Sequence, residues 1–575
     1  MKKYILSIVV LNLFAFYSFA QDKELGDKEY VIVKDYKPVL AESNKISDTP
    51  EGDTAYSNPP KMSYSIEPKQ LETNFEAGVI RAVKIKEEPI PKLYHALAKL
   101  GLGSYDTYTG ELFYNALRSK TGQVGVHLKH FSGRPNPLDG RTGLFSNNVG
   151  EVYGKYFLDN ATFNSSFNYE RDVFHYYGFY GTHGEPDSIV APDATKQRFN
   201  NYNFKAGINS NWVTDDHLNY DATFMYNGLN DKFGVTENDF NILGGASKKF
   251  DENLFGLGLN FDYFKKGSAD FEKFDSNSDL SRYIVTMNPH FTRDFDKIHL
   301  NVGFNFSLEH NSGPVGAHFY PDVNVSVPIA EHVVYIFADV TGGLQKTTYK
   351  TLKDENPFTI PSVKLYYNQS NDLILDGGLK GNFSSQVSFN AMVKYSKVTN
   401  MPLYYNDFPV IYQEPVAYID SSSMHANMFN IVYDVVNVFN LHGEVDYHNS
   451  EKLNVALAYD YYSYQSTAEL KAWHKPGNEL RLMIKYNLQD KIQVNATLLA
   501  AGSQYARVFS GSDLSPVVAQ KLKGYYDFNL GLEYRYNKVL SFYFNMNNLF
   551  FSRYEQWYGY PSEKFNLLGG LTYSF

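Results

Sequence analysis

The chain runs to 575 residues, carries a formal net charge of −10 and contains no cysteine. The missing thiols exclude disulfides, thiolate metal sites, a cysteine nucleophile and a lipid anchor on an N-terminal cysteine. The mild acidity leaves no basic footprint for nucleic acid, and loss of Lys2 and Lys3 with a cleaved leader takes the charge to about −12. Aromatic residues make up 16% of the chain, with 48 Tyr and 43 Phe against 3 Trp. Phenol rings suit the headgroup zone of a bilayer and the lining of a wide lumen. A mean hydropathy of −0.39 argues against a helical membrane protein. It does not argue against a barrel, where only every second residue meets lipid.

Residues 1–20 read as a signal peptide. Lys2 and Lys3 form the charged start and an apolar run extends from Ile5 to Phe19. Ser18 and Ala20 occupy the small-residue cleavage positions, so that Gln21 begins the mature chain. No later stretch of about 18 apolar residues exists to span a bilayer as a helix. Residues 21–94 contain Pro38, Pro50, Pro59, Pro60, Pro68, Pro89 and Pro91 and are frequently charged. They predict either an extended, largely irregular arm, periplasmic or lumenal, suited to docking other outer-membrane or periplasmic proteins, or a disordered tail.

From residue 95 to the end the pattern has period two. Phe255, Leu257, Leu259, Phe261 and Tyr263 alternate with Gly256, Gly258, Asn260 and Asp262. Leu300, Val302, Phe304, Phe306 and Leu308 do the same, as do Leu480, Leu482, Ile484, Tyr486 and Leu488. A strand flips its side chain at each residue, so each segment has one apolar and one largely polar face. Short turns are expected at 214–217, Arg293-Asp294, 330–332, 384–386, 489–491 and Asn537-Lys538. Long excursions separate them at 133–147, 267–280, 346–372, 401–422 and 508–523. That rhythm predicts ascending strands starting near residues 96, 123, 161, 218, 253, 297, 332, 386, 453, 491 and 539. The expected fold is therefore all-β: a transmembrane antiparallel barrel of about 22 strands, within 18–24, with both chain ends on the periplasmic side and the long loops outside the cell. Its expected surroundings are outer-membrane lipid and, during assembly, the barrel-assembly machinery.

The last strand places Phe565, Leu567, Gly569, Leu571, Tyr573 and Phe575 on one face, which is the pattern of a terminal assembly signal whose open edge must be closed. Before it come Asn547-Asn548-Leu549-Phe550, Tyr554 and Pro561. Together with Trp473-His474-Lys475-Pro476-Gly477 in a loop, this closing hairpin resembles the TonB-dependent receptor barrels of Bacteroidetes type over roughly residues 95–575. The resemblance implies an outer-membrane transport barrel. The family also carries a compact plug domain, for which residues 21–94 are too few and too proline-rich, and Glu29-Tyr30-Val31-Ile32-Val33 is the nearest counterpart of a TonB box. The expectation is a plug-less relative that transports or takes up solutes. The competing expectation is an accessory subunit of a secretion or assembly complex in the outer membrane.

Catalytic and metal patterns are weak, and no enzyme, cofactor or metal is expected. Barrel-embedded lipid hydrolases place Ser and His on outward strand positions near the rim, with an acid or amide partner. His130 and Ser132 share a strand face and His127 falls on the other, but spacing alone does not assemble them into nucleophile, base and orienting partner. His175 lies beside Tyr176 and Tyr177. Asp215-Asp216-His217 reads as a turn, and Gly342-Gly343 and Gly377-Gly378 read as strand glycines. Tyr176-Tyr177, Tyr366-Tyr367, Tyr404-Tyr405, Tyr461-Tyr462 and Trp557-Tyr558 read chiefly as headgroup-girdle residues, with loop recognition as the alternative.

Overall fold

The computed structural model describes residues 93–575, except 117–118, 136–142, 179–194, 213–215, 268–279, 312, 331–332, 408–427 and 510–516. The leader, the cleavage pair Ala20-Gln21, the segment Glu29–Val33 and nearly all of the arm lie outside the described residues. The remainder forms a 22-stranded antiparallel sheet closed on itself. Each barrel strand pairs with the next, and the last, Asn566–Ser574, pairs with the first, Ala96–Gly103, in the register Leu97↔Ser574 to Gly103↔Leu568. Phe575 and Ala96 exchange both backbone hydrogen bonds at 2.9 Å.

Ascending strands start at Ala96, Gly122, Ala161, Asn219, Asn253, Ile298, Val334, Val387, Leu453, Ile492 and Leu540, each within two residues of the sequence expectation. The turn expected at Arg293-Asp294 lies further on, because the strand Leu280–Phe295 continues through both residues. Asp296 takes the left-handed conformation there at φ 50°, which Asp tolerates better than a bulky residue. Gln489 and Asp490, both at positive φ, form another tight turn. Gly342-Gly343 and Gly377-Gly378 lie inside strands. Strands Val387–Asp407 and Met428–Asn449, of 21 and 22 residues, overshoot the others at the long-loop end.

The two faces differ as the alternation requires. Phe255, Leu257, Leu259 and Phe261 are exposed on the outside. On the inside, Asn241 donates to Asn260 and Asp262, both at 2.7 Å, and Asn288 donates to Asn305 at 2.8 Å and Asp322 at 3.0 Å. An apolar exterior and a hydrogen-bonded polar interior describe a barrel whose solvent is lipid.

The seam is packed by one aromatic ring. Gly101 and Gly570 are register partners, and a Cβ on either would collide with the Tyr543 side chain. The ring is largely buried and lies across both glycines, with Lys99 Nζ 4.4 Å from its centroid. Such coverage of paired glycines pins strand register. Gly570→Leu should therefore block closure of the barrel while Tyr543→Phe should not. Heat-modifiable mobility on unboiled gels reads the difference, and a normally compact Gly570→Leu barrel would refute the packing role.

Candidate functional site

The long-loop end of the barrel is covered by loops that meet across it. The loop of residues 346–368, after the thirteenth strand, turns in against the lumenal wall. Lys346 Nζ bridges Asp239 at 2.7 Å and Asp262 at 2.8 Å. Arg282, buried over the Phe264 ring, donates to the Thr347 carbonyl at 2.7 Å. Thr348 then caps a seven-residue helix, Tyr349–Glu355, through a reciprocal capping box. The wall carboxylate Glu237 accepts from the backbone N–H groups of Tyr349 at 2.6 Å and Lys350 at 3.0 Å, satisfying orphan donors of the first turn. Two carboxylates facing one ammonium raise the basicity of Lys346 against the opposing effect of burial.

Beyond the helix the chain enters an aromatic core. Phe358 stacks on Tyr560 with centroids 3.6 Å apart. Tyr177 meets both rings edge-on, at 5.0 Å from Tyr560 and 5.9 Å from Phe358. Phe429 exchanges backbone hydrogen bonds with Phe358 and Ile360. Trp557 packs against Tyr404, Phe429 and His474 at 5.1, 5.5 and 5.0 Å. Tyr404 donates to the Leu352 carbonyl at 3.0 Å, and Lys475 pairs with Glu355 at 2.6 Å. Beside the triad of rings, Phe174, Tyr177 and Phe358 line a cavity of about 420 Å³ together with Asp172, Lys353 and Glu563.

Connectivity gives this core its meaning. Tyr177 follows the fifth barrel strand, Phe358 the thirteenth and Tyr560 the twenty-first. These loops leave the rim eight, eight and six strands apart around a circle of 22. Three points so spaced can touch only by reaching inward, so the contact of Tyr177, Phe358 and Tyr560 bridges the long-loop end of the barrel.

The structure sorts the residues singled out in the sequence. Tyr176, Tyr404 and Trp557 are buried in the loop core rather than in a girdle, and Tyr366, Tyr367 and Tyr461 are exposed. Trp473 is fully buried, its indole donating to Glu469 at 2.9 Å, and the neighbouring His474 and Lys475 join loop to loop. His175 has Nδ1 3.0 Å from the Leu144 carbonyl, and His217 stacks on Trp212 at 4.2 Å. Among the described residues no cluster of three or more His, Asp or Glu side chains forms a metal site. Phe565 stacks on Phe551, and Leu567, Gly569, Leu571 and Tyr573 lie in the closing strand before Phe575. His130, unexpectedly, has a partner on each ring nitrogen, Ser132 and Asn148. The inward course of residues 346–368 was missed because its contacts with the wall described above reach 65 to 113 residues back along the chain.

No protein-family model and no curated protein matches this sequence. Solved structures do match. The FrpB iron transporter from Neisseria meningitidis superposes with a TM-score of 0.63 at 10% identity, over 84% of this chain and 82% of that one. The pyoverdine outer membrane receptor FpvA from Pseudomonas aeruginosa, bound to pyoverdine, gives 0.61 at 13% identity, over 85% and 79%. The siderophore receptor PirA from Acinetobacter baumannii gives 0.62 at 10% identity, over 85% and 81%. At these identities the likeness establishes the fold, a receptor-type 22-strand barrel.

Two predictions follow from the geometry of the closure. Lys346→Met leaves Asp239 and Asp262 facing each other without a cation, and breaking a buried pair in this way costs about 3–5 kcal/mol. Limited trypsin digestion should then cut at Lys350 or Lys353 while the barrel stays resistant; a variant as protected as the parent would show that the bridge does not anchor the loop. The second concerns His474, whose imidazole is held neutral by burial, with its pKa lowered to about 3. A pKa depressed on folding contributes stability above the ordinary histidine value, and that contribution is lost as pH falls from about 6.5 toward 3. Two of the three tryptophans, Trp473 and Trp557, sit in the loop core. Acrylamide quenching should rise over that window, and His474→Phe should flatten the response.

Proposed function

We propose that the protein is an integral outer-membrane barrel that transports solutes, with the long loops outside the cell and both chain ends in the periplasm. The loop closure over a polar lumen is the observation that carries this reading. A barrel of 22 strands is wide enough to conduct unless it is occupied or covered. A scaffold whose only task is to hold partners has no need of a mouth shut by three converging loops. The cavity beside Phe358, aromatic on one side and charged at Asp172, Lys353 and Glu563, offers a first seat to a solute from outside. Its neighbours in fold are described as an iron transporter and a siderophore receptor, and uptake of a chelate of that class is consistent with the architecture.

In this reading residues 21–94 stand in the place of the compact plug, as arm or stopper, and 95–575 form the barrel. The Asn547–Phe550 hairpin and the Phe565–Phe575 ending support a relative of the Bacteroidetes-type receptors, with the final strand serving as the assembly signal. No catalytic group is needed for transport.

Reconstitution in planar bilayers tests the proposal. The parent barrel should pass little current. Phe358→Ala combined with Tyr560→Ala should raise conductance several-fold, and deletion of 21–94 should raise it further. Silence in all three, together with solute uptake that is unaffected by loss of the protein, would overturn the reading. Extraction in mild detergent as a stoichiometric complex with a barrel silent in every variant would favour an accessory subunit instead.

A further inference from the structure

The outer face near the long-loop rim carries a wired hydroxyl, imidazole and amide. On strand Gly122–Gly133, Val124, Leu128 and His130 are exposed, and Val126 and Ser132 share their outward parity. His130 Nε2 lies 3.0 Å from Ser132 Oγ. His130 Nδ1 lies 2.7 Å from Asn148 Oδ1, on the adjacent strand Phe145–Phe157. Asn148 Nδ2 in turn donates to Ser146 Oγ at 3.0 Å. The amide oxygen can only accept, so Nδ1 carries the ring proton and Nε2 presents its lone pair to the serine hydroxyl. A hydroxyl hydrogen-bonded to a neutral base whose other nitrogen is oriented by a third group is the geometry of an activated nucleophile.

Register places the cluster at the edge of the hydrocarbon. Reading across the outer surface, one row is Tyr108, Ser132, Ser146 and Val173; the next is Gly110, His130, Asn148 and Arg171; the third is Leu112, Leu128, Gly150 and Tyr169; the fourth is Tyr114, Val126, Val152 and Phe167. The row of His130, Asn148 and Arg171 thus lies directly above two largely apolar rows. Gly110 and Gly150 leave the surface beside His130 free of side chains, and a Cβ added at either meets only ordinary contacts. Leu128 and Val152 stand exposed below, as walls for an alkyl chain. Arg171 stands exposed beyond Asn148, a cation placed on the same outer face.

We propose that this face is an esterase site for acyl esters of membrane lipids. Ser132 Oγ attacks the ester carbonyl carbon while His130 Nε2 takes its proton. The tetrahedral oxyanion forms beside Ser146, register partner of Ser132, whose hydroxyl accepts from Asn148 and is free to donate. Collapse breaks the C–O bond, and His130 returns the proton to the departing alcohol. Water, deprotonated by His130, then attacks the acyl-serine and releases the carboxylic acid, restoring Ser132. Asn148 is a positioning residue that holds the imidazole in one tautomer.

Full-length protein in mixed micelles is assayed for fatty-acid release from a diacyl glycerophospholipid and, separately, from lipid A. Release from either substrate should fall at least ~100-fold in Ser132→Ala and in His130→Ala. Asn148→Ala should fall less and Asn148→Asp should recover part of the activity, with compact mobility on unboiled gels confirming the barrel in each. A fluorophosphonate should form its adduct on Ser132 of the parent protein and abolish release, a readout independent of whether variants fold. The substrate that responds identifies the lipid source. No release from either lipid, undiminished release by Ser132→Ala, or release surviving full modification overturns the site.

Discussion

Pairing of the last strand with the first is the interaction on which the rest of the structure depends. Within hydrocarbon an unpaired backbone N–H or C=O costs several kcal/mol, and an open edge would present a whole row of them. The reciprocal bonds between Ala96 and Phe575 and the Tyr543 ring across Gly101 and Gly570 remove that edge. Closure also fixes the circumference. With 22 strands in the circle, the interior is too wide for side chains from the wall to fill. A wide lumen is thus the consequence of the seam, and the loop cover is the response to the wide lumen.

The cover uses two kinds of contact with different physics. At the wall, charge does the holding: Lys346 sits between Asp239 and Asp262, and Glu237 receives the first amides of a helix. These groups are shielded from solvent, so salt screens them weakly, and removal of one partner strands the others. Over the axis, aromatic packing takes over, through Phe358, Tyr560 and Tyr177. Ring contacts of this kind contribute about 0.5–1.5 kcal/mol each beyond area burial. A cover anchored ionically at the wall and joined by rings at the centre can part at the centre while its root remains fixed.

The barrel was legible because its signals are local. Alternation of Phe255, Leu257, Leu259 and Phe261 with glycine and polar residues reports strand and face together, and turns such as Gln489-Asp490 mark where strands end. Strand starts accordingly fall within two residues. The shift from Arg293-Asp294 to Asp296 shows the limit, since a polar pair at the water-facing end of a strand looks like a turn. The mouth was not legible. Nothing near Lys346 announces Asp239, and nothing near Phe358 announces Tyr560. Those pairs exist only once the barrel brings distant loops to one rim. Tyr404 and Trp557 were misread for the same reason, because the composition that suits a girdle also suits an aromatic core.

Two histidines three residues apart show how strand parity decides chemistry. His127 points inward, stacks on Phe113 at 4.2 Å and pairs with Glu111 at 2.9 Å. In a polar lumen a carboxylate partner is well solvated, and the pair is an ordinary lumenal contact. His130 points outward to the lipid boundary. A carboxylate there would carry a charge into a medium that solvates it poorly, whereas the neutral Asn148 orients the ring without that penalty. The hydroxyl of Ser132 then completes an arrangement that the lumenal histidine lacks. Strand parity thus sets the two histidines in different media, so near neighbours on one strand take partners of different charge.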